Sequence, residues 1–360
     1  MGRDRSGPRC EEYRLPTGKQ ERKALAETIG ADGLRLLTAI DTAPHQSWLA
    51  QVPAVQTLRQ IWAQQYRVSP GVARWRPNDE LAPAAQQVHS PDDPDARYGK
   101  KRSTTWVGYK VHLTETCEPD APHLITQVET TSATTADVAL TQPIHDALQR
   151  KGLLPAQHVV DAGYVDAQLL VASQRDYGVD LLGPTPANAH WQAREPHGLE
   201  SSRFVIDWQA QQATCPAGRT SQKWTPSHDQ HGSAVIKVRF GRVDGRPCPR
   251  RAQCMRGPSR VLTLRPHDEY LALQAARQRE PTPAFVAQYA LRAGVEGTLS
   301  QGTRAFGLRR ARYIGQARTH LQHLLTAAAM NFVRMGLWLT GIPRARTRPS
   351  PFVALMAPAA

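Results

Sequence analysis

The stretch that decides the fold is His158-Val159-Val160-Asp161-Ala162-Gly163-Tyr164. Its apolar residues predict a short buried strand that ends on the acidic Asp161 and turns at Gly163. Open α/β sheets place ligand-binding groups at the carboxyl ends of their strands, so Asp161 is a candidate site residue. Taken alone, an Asp before a Gly is more often an ordinary turn residue, and the rest of the chain has to decide between the two interpretations.

The segments around this strand alternate between strand and helix patterns. Residues 106–114 and 124–130 are β-rich and predict an antiparallel hairpin. Asp137 predicts the N-cap of a helix, and residues 167–175 predict a second helix before a strand at 179–183. The order strand, strand, helix, strand, helix, strand resembles most of an RNase H-like α/β fold, a mixed sheet with flanking helices. The first strand of such a sheet is missing before the hairpin.

Composition and periodicity divide the chain into regions with different predicted structures. The predicted regions are a helical remnant of an N-terminal region (1–66), an irregular connector (67–104), the first part of the RNase H-like core (105–185), a β-rich insertion (186–265), the second part of the core with basic C-terminal helices (266–340) and a tail (341–360).

The charge of the chain indicates a polyanionic partner. The formal net charge is +14 and the isoelectric point is about 10.0, which favours nucleic acid over a merely basic surface. The charge is also concentrated, because residues 301–360 contain nine arginines and no Asp or Glu. With 40% hydrophobic and 21% charged residues, the composition is that of a globular protein and excludes a disordered one.

The cysteines and the apolar stretches of the chain indicate where in the cell the protein is expected. The chain has five cysteines and its first residues lack the apolar segment of a signal peptide, which predicts a reducing cytoplasm and, with the basic charge, association with the nucleoid. The most apolar stretch, residues 321–339, contains His323, Asn331 and Arg334. A buried helix is therefore expected there and a membrane span is not.

Three cysteines, Cys215, Cys248 and Cys254, lie in the β-rich insertion. A structural zinc site has four ligands and often a C-x2-C step, but the residue three before Cys248 is Gly245. A histidine such as His228 could supply a fourth ligand. We favour reduced structural cysteines over zinc.

Glu296 occurs in the pattern Tyr289-x2-Arg292-x3-Glu296, within a helix predicted over residues 281–302. Spacings of three and four residues place all three side chains on one helical face. An Arg one turn before a Glu can also be an ordinary surface pair, worth roughly a few tenths of a kcal/mol.

The pattern Tyr-x2-Arg-x3-Glu-x6-Lys resembles the signature of a large group of DDE-type transposases from bacterial insertion sequences. Tyr289, Arg292 and Glu296 match it, whereas Thr303 holds the Lys position and Arg304 lies beside it. Further stretches resemble the family in the same order. Residues 101–112 resemble its second strand, residues 160–164 the strand of its second carboxylate, and residues 302–331 its C-terminal basic loop and helix; together the similarity spans about residues 91–340.

The resemblance implies a phosphoryl transfer on DNA with two divalent ions, Mg²⁺ or Mn²⁺, which prefer oxygen ligands. Asp161 would bridge the metals and Glu296 would ligate one of them. The partners implied are the element ends and the target DNA, cut and joined by a homodimer in a synaptic complex. The residues expected to contact DNA are Tyr289, Arg292, Arg304, Lys110, Arg309, Arg310 and Arg312.

A third acid, which the family carries on its first strand, has no good match. Asp41 follows a helical run, and Asp92, Asp93 and Asp95 lie in a Pro-rich loop that fits the connector. We therefore expect a chain that lacks its front half. Two alternatives stay open: a catalytically inactive remnant that only binds DNA, and a basic nucleic-acid-binding protein with a different fold.

Overall fold

The computed structural model describes residues 16–43, 47–69, 71–188, 190–245 and 247–342. The chain forms two compact units. The first consists of Met1–His112, Thr130–Thr135 and Arg309–Leu325, and the second of Leu113–Glu129, Ala136–Leu308 and Thr326–Ala360. The beginning of the predicted N-terminal region and most of the predicted tail, with Arg344, Arg346 and Arg348, lie outside the described residues.

The helices are numbered in chain order. They are α1 (Lys19–Thr42), α2 (Pro53–Gln65), α3 (Thr141–Arg150), α4 (Ala167–Tyr177), α5 (Trp191–Arg194), α6 (Arg242–Gly245), α7 (Arg251–Cys254), α8 (His267–Arg279), α9 (Pro283–Ala290), α10 (Ala293–Ala305) and α11 (Gln316–Leu339). Short 3₁₀ turns cover Ser47–Gln51, Asn78–Glu80, Asp137–Leu140, Ala162–Tyr164 and Ser201–Arg203.

The strands are short apart from the fourth and fifth. They are β1 (Tyr66–Ser69), β2 (Val72–Trp75), β3 (Arg97–Lys101), β4 (Thr104–Glu115), β5 (Ile125–Ser132), β6 (Gln157–Val159), β7 (Asp180–Leu182), β8 (Val205–Asp207), β9 (Gln212–Thr214), β10 (Lys223–His228), β11 (Ala234–Arg239) and β12 (Val261–Leu264).

The strands form small sheets in the described part of the chain. Their orders are β1-β2, β3-β4-β5, β6-β7, β8-β9 and β10-β11-β12, and β6 and β7 are parallel. The predicted mixture of helices and strands is therefore confirmed. The arrangement of the core strands in one RNase H-like sheet stays a prediction.

The hairpin predicted from residues 106–114 and 124–130 corresponds to β4 and β5, which are neighbours in one sheet. At its turn the N–H of Thr116 donates to the carbonyl of Leu124 at 2.9 Å, and the Thr116 hydroxyl accepts from the N–H of Leu124 at 3.0 Å. Two hydrogen bonds between Thr116 and Leu124 therefore close the turn between the two strands.

The predicted connector, residues 67–104, is more regular than its composition suggests. Its first residues form the β1-β2 hairpin. Its last residues include β3, which pairs with β4 so that Arg97 lies opposite Gly108 and Lys101 opposite Thr104. Strand pairing overrides the low β-propensity of this Pro- and Asp-rich stretch, because propensity is weaker than the fit of a strand to its neighbours.

In the first unit, helix α1 packs closely against the end of α2. The Trp62 indole N–H donates to the carbonyl of Gly30 at 3.0 Å, and a Cβ on Gly30 would lie 2.5 Å from the ring of Tyr66. Glycine at this position therefore lets the aromatic side chains reach the helix backbone, which fixes the α1–α2 pair.

In the second unit, the helix that follows β5 begins as a 3₁₀ turn and continues as α3 from Thr141. The prediction of Asp137 as its N-cap is wrong, because Ala136 is the N-cap and no side chain caps the turn. Pro143 lies in the first turn of α3, where its missing N–H costs no helical hydrogen bond. The buried side chains of this segment, Leu140, Ile144 and Leu148, form one cluster. Gly178 ends α4 in a left-handed conformation with φ 68°.

The β-rich segment between residues 186 and 265 has its own core in the second unit. Two facing aromatics, Phe204 and Phe240, lie 5.5 Å apart at its centre. Its other buried members are Ala213, Val238, Cys254, Leu262 and Leu264. Of the described helices, none is long and apolar enough to cross a membrane.

Candidate active site

Asp161 follows β6, a strand that the sequence predicted to be buried but whose residues are half-buried; Val160, directly before Asp161, is buried. The N–H of Val160 donates to the carbonyl of Leu182 at 2.8 Å and so extends the β6-β7 pairing by one step. Asp161 then caps the following 3₁₀ turn, and its Oδ1 accepts a hydrogen bond from the N–H of Ala162 at 2.9 Å. The side chain keeps 49% of its surface exposed. One carboxylate oxygen therefore holds the turn, and the other can take a partner from elsewhere in the chain.

Glu296 lies in the first turn of α10, where the positive end of the helix dipole favours a carboxylate. The single helix predicted over residues 281–302 is wrong, because the structure has α9 and α10 with a junction between them. At the junction the N–H groups of Arg292 and Val295 donate to carbonyls three residues earlier, as in a 3₁₀ turn. The predicted contact between Arg292 and Glu296 is nevertheless made, with Nη1 and Oε1 3.1 Å apart.

Arg292 joins two acids that are far apart in the sequence. Its Nη2 lies 3.2 Å from Oδ2 of Asp161, while its Nη1 bonds Glu296. Burial lowers the pKa of Arg292, but the carboxylates of Asp161 and Glu296 outweigh this, and the pKa is raised. The structure thus brings both predicted acids to one guanidinium.

Tyr289 lies beside this group at the end of α9. Its ring stacks on that of Phe285 with centroids 5.6 Å apart, and the guanidinium carbon of Arg292 lies 5.8 Å from the centre of the Tyr289 ring. Burial raises the pKa of Tyr289, so its phenol is neutral at neutral pH and can donate a hydrogen bond. Tyr289, Arg292 and Glu296 are therefore grouped as their spacing predicted.

Asp137 is an acid near this group that the sequence analysis treated only as a helix cap. A Cβ on Gly163 would lie 3.2 Å from Oδ2 of Asp137, so the acid lies close to the turn after Asp161. Burial raises the pKa of Tyr164, and the charges of Asp137 and Asp161 raise it further. The signal for Asp137 was its place at the start of the helix that follows β5.

A buried charge pair that the sequence did not reveal holds α10 in place. The Glu115 side chain is 2% exposed and that of Arg334 is 15% exposed. Arg334 Nη1 donates to Oε2 of Glu115 at 2.9 Å and to the carbonyl of His123 at 2.7 Å. Its Nη2 and Nε donate to Thr298 and Gln301 of α10. Every guanidinium nitrogen has a partner, so α10 is fixed to the end of β4.

The basic loop predicted to contact DNA belongs to the first unit. Its arginines Arg309, Arg310 and Arg312 are exposed. The buried Gln322 holds the loop backbone, since its Nε2 donates to the carbonyl of Arg310 and its Oε1 accepts from the N–H of Arg312, both at 2.8 Å. The loop thus has a fixed backbone and three side chains directed to solvent.

The remaining predicted DNA contacts differ in exposure. Arg304 is exposed in the last turn of α10, whereas Thr303, which holds the Lys position of the pattern, bonds back to the carbonyl of Leu299 at 2.8 Å. Lys110 is half-buried, and its Nζ donates to the carbonyl of Thr135 at 2.7 Å. The geometry therefore makes Arg304 accessible and gives Lys110 a contact within the protein.

The metal-binding capacity of the site is limited. In the part of the chain that the structure describes, no group of three or more His, Cys, Asp or Glu side chains is arranged to hold a metal ion. The pair Asp161 and Glu296 fits Mg²⁺ or Mn²⁺ chemically, because these ions take oxygen ligands and often use only one or two carboxylates beside water and phosphate. The space between the two acids also suits a positive charge, because the guanidinium of Arg292 lies there.

The three cysteines of the β-rich segment lie near one another. Burial raises the pKa of the Cys254 thiol, Arg260 opposes this rise, and Cys215 and Cys248 add to it. The N–H of Arg219 donates to Sγ of Cys215 at 3.4 Å. All three are free thiols, and their assignment as structural residues stays a prediction.

Comparison with known proteins supports one family. Residues 214–336 match a family model described as a transposase DDE domain, which is about a third of the chain. The match includes Tyr289, Arg292 and Glu296, and Asp161 lies outside it. No curated protein and no solved structure gives a significant match. About a third of the chain is therefore similar to a transposase DDE domain.

Proposed function

We propose that this chain acts as the catalytic part of a DDE-type transposase, with Asp161 and Glu296 as its metal-binding acids. One observation carries the proposal: the two acids meet at the same guanidinium, although one follows a strand and the other begins a helix in the matched region. An ordinary surface pair explains Arg292 with Glu296 alone, but it does not explain the contact of Arg292 with Asp161.

The proposed chemistry is an in-line displacement at the phosphorus of a DNA phosphodiester. Divalent ions, when bound, activate the attacking oxygen and stabilise the leaving one. Asp161 and Glu296 would hold them from two elements that the protein fixes separately, the β6-β7 end and the first turn of α10. Arg292 and the Tyr289 phenol would orient the phosphate, since both donate hydrogen bonds and both lie at the acids.

The proposed partners are the ends of the element and its target DNA, with the protein as a homodimer in a synaptic complex. The exposed arginines of the loop 309–312 and Arg304 would contact phosphates. A location at the nucleoid, and an RNase H-like arrangement of the core strands, belong to the same proposal.

A second function is favoured by a specific observation. Among the described residues only two acids, Asp161 and Glu296, meet at Arg292, and no three-ligand group is present. A protein with this incomplete set would bind DNA through its arginines and leave the phosphodiester intact. This is the catalytically inactive form of the same family.

Nicking of a supercoiled plasmid separates the two functions. In the first, the purified chain nicks the plasmid with Mg²⁺ or Mn²⁺, Glu296→Gln abolishes nicking, and DNA binding measured by fluorescence anisotropy is retained. Glu118→Gln, at an exposed acid of the β4-β5 turn, is the matched control and should nick as the parent does. Binding without nicking in the parent supports the second function, and nicking that persists in Glu296→Gln contradicts the first.

A further inference from the structure

Arg292 contacts both acids that would hold the proposed metal ions. Its guanidinium contacts Asp161 at 3.2 Å and Glu296 at 3.1 Å, and the Arg292 side chain is 24% exposed. The two acids therefore already share a positive charge. A divalent ion that bound both carboxylates would have to displace this guanidinium or compete with it.

We propose that Arg292 is an internal competitor of the metal ion, which neutralises Asp161 and Glu296 until a DNA phosphate draws the guanidinium away. This inference rests on the proposed function, because it assumes that the two acids bind the metal. It adds that metal binding is weak before DNA arrives and strengthens when DNA is bound.

The geometry allows Arg292 to exchange partners. Arg292 lies at the junction of α9 and α10, beside the ring of Tyr289, and its long side chain can reach other partners by rotation about its own bonds. Its planar fork fits a phosphate as well as a carboxylate. Glu296 is 69% exposed and Asp161 is 49% exposed, so both carboxylates stay accessible to an incoming ion when the guanidinium leaves.

A purely structural role for Arg292 predicts the opposite effect on metal binding. If the guanidinium only held the two carboxylates together, its removal would separate them and weaken the metal site. If it competes with the ion, its removal leaves two acids without a counter-charge and strengthens the site. The sign of the change in metal affinity therefore distinguishes the two roles.

The test measures Mn²⁺ binding to the full chain by the electron paramagnetic resonance signal of the free ion, without DNA. We expect Arg292→Gln to bind Mn²⁺ about tenfold more tightly than the parent, a coupling within the range common for linked sites. Arg292→Lys keeps the charge and should stay near the parent. An affinity in Arg292→Gln that is equal to or below that of the parent overturns the proposal.

The second arm adds a 30-base-pair duplex and repeats the titration. DNA should raise Mn²⁺ affinity more in the parent than in Arg292→Gln. The ratio of the two increases should be about the same tenfold factor, because in the DNA-bound parent the guanidinium no longer contacts the acids. The double variant Asp161→Asn with Glu296→Gln gives the Mn²⁺ bound by DNA and other groups. Equal increases in the parent and Arg292→Gln contradict the inference.

The failure of this inference is distinguishable from that of the proposed function. If the double variant binds Mn²⁺ as tightly as the parent and as Arg292→Gln, the two acids are not the metal site, and both proposals fall. If the double variant loses binding but Arg292→Gln does not gain it, the metal site stands and only the competing role of Arg292 is wrong.

Discussion

Arg334→Met tests how α10 is held in place. The substitution keeps most of the apolar volume of the side chain but removes the charge that faces Glu115, whose side chain is 2% exposed. A buried charge that loses its partner typically costs about 3–5 kcal/mol. The hydrogen bonds to the His123 carbonyl, Thr298 and Gln301 are lost at the same time, so we expect a value near the upper end of that range.

The free energy of unfolding in urea at neutral pH measures this cost. Arg304→Met is the matched control, because Arg304 is exposed on α10 and its loss should change the free energy by less than about 0.5 kcal/mol. The double variant Glu115→Gln with Arg334→Met should recover part of the stability, since it leaves no unpaired charge. A loss below about 1 kcal/mol in Arg334→Met would show that the pair does not anchor the helix.

Two further predictions concern the basic loop and a pair of histidines, His145 and His158, whose ring nitrogens Nε2 and Nδ1 lie 3.0 Å apart. Burial lowers the pKa of His158 from 6.5 to about 4, and the charge of His145 adds to this effect. As the pH drops, the unfolded chain therefore takes up a proton before the folded chain does. The free energy of unfolding falls as the pH drops from about 6.5 to about 4. Between pH 7 and 4.5, His158→Gln should lose about 2 kcal/mol less unfolding free energy than the parent does. The control His228→Gln, at an exposed histidine, should lose as much as the parent. An unchanged pH profile in His158→Gln would contradict the lowered pKa of His158. Arg310→Gln and Arg312→Gln should each lower the slope of log affinity for DNA against log salt by about one, measured by anisotropy between about 50 and 200 mM salt, and unchanged slopes would exclude phosphate contacts by the loop.

Local patterns predicted the elements around Asp161 well. Alternation predicted β4 and β5, and the apolar run that ends on Asp161 corresponds to β6 and the turn after it. These features depend on neighbouring residues, which a sequence displays directly.

Features that depend on distant residues were not predicted. The break between α9 and α10 was not predicted, because no Pro at the junction marks the end of a helix. The contact between Arg292 and Glu296 was predicted, because it depends only on their spacing. Glu115 and Arg334 are 219 residues apart, and nothing in either local sequence marks them as a pair. Asp137 was assigned a local role, and its approach to Gly163 follows only from the folded backbone.

The regular structure of the connector was missed for a related reason. Its Pro- and Asp-rich composition indicates loops, whereas β3 is formed because β4 offers it a partner from Gly108 to Thr104. A strand of this kind is specified by the edge that it pairs with, more than by its own residues.

Cleavage of the polypeptide by hydroxyl radicals from bound Fe²⁺ tests most directly whether Asp161 and Glu296 share a metal ion. Fe²⁺ replaces Mg²⁺ at oxygen sites, and with ascorbate and peroxide it cuts the backbone within reach of the ion. With a 30-base-pair duplex bound, which draws Arg292 from the acids, the account predicts two groups of cuts, one near residue 161 and one near residue 296. Both should be suppressed by excess Mg²⁺ and both lost in Asp161→Asn. Cuts at one of these places alone, or cuts that persist in Asp161→Asn, would contradict it.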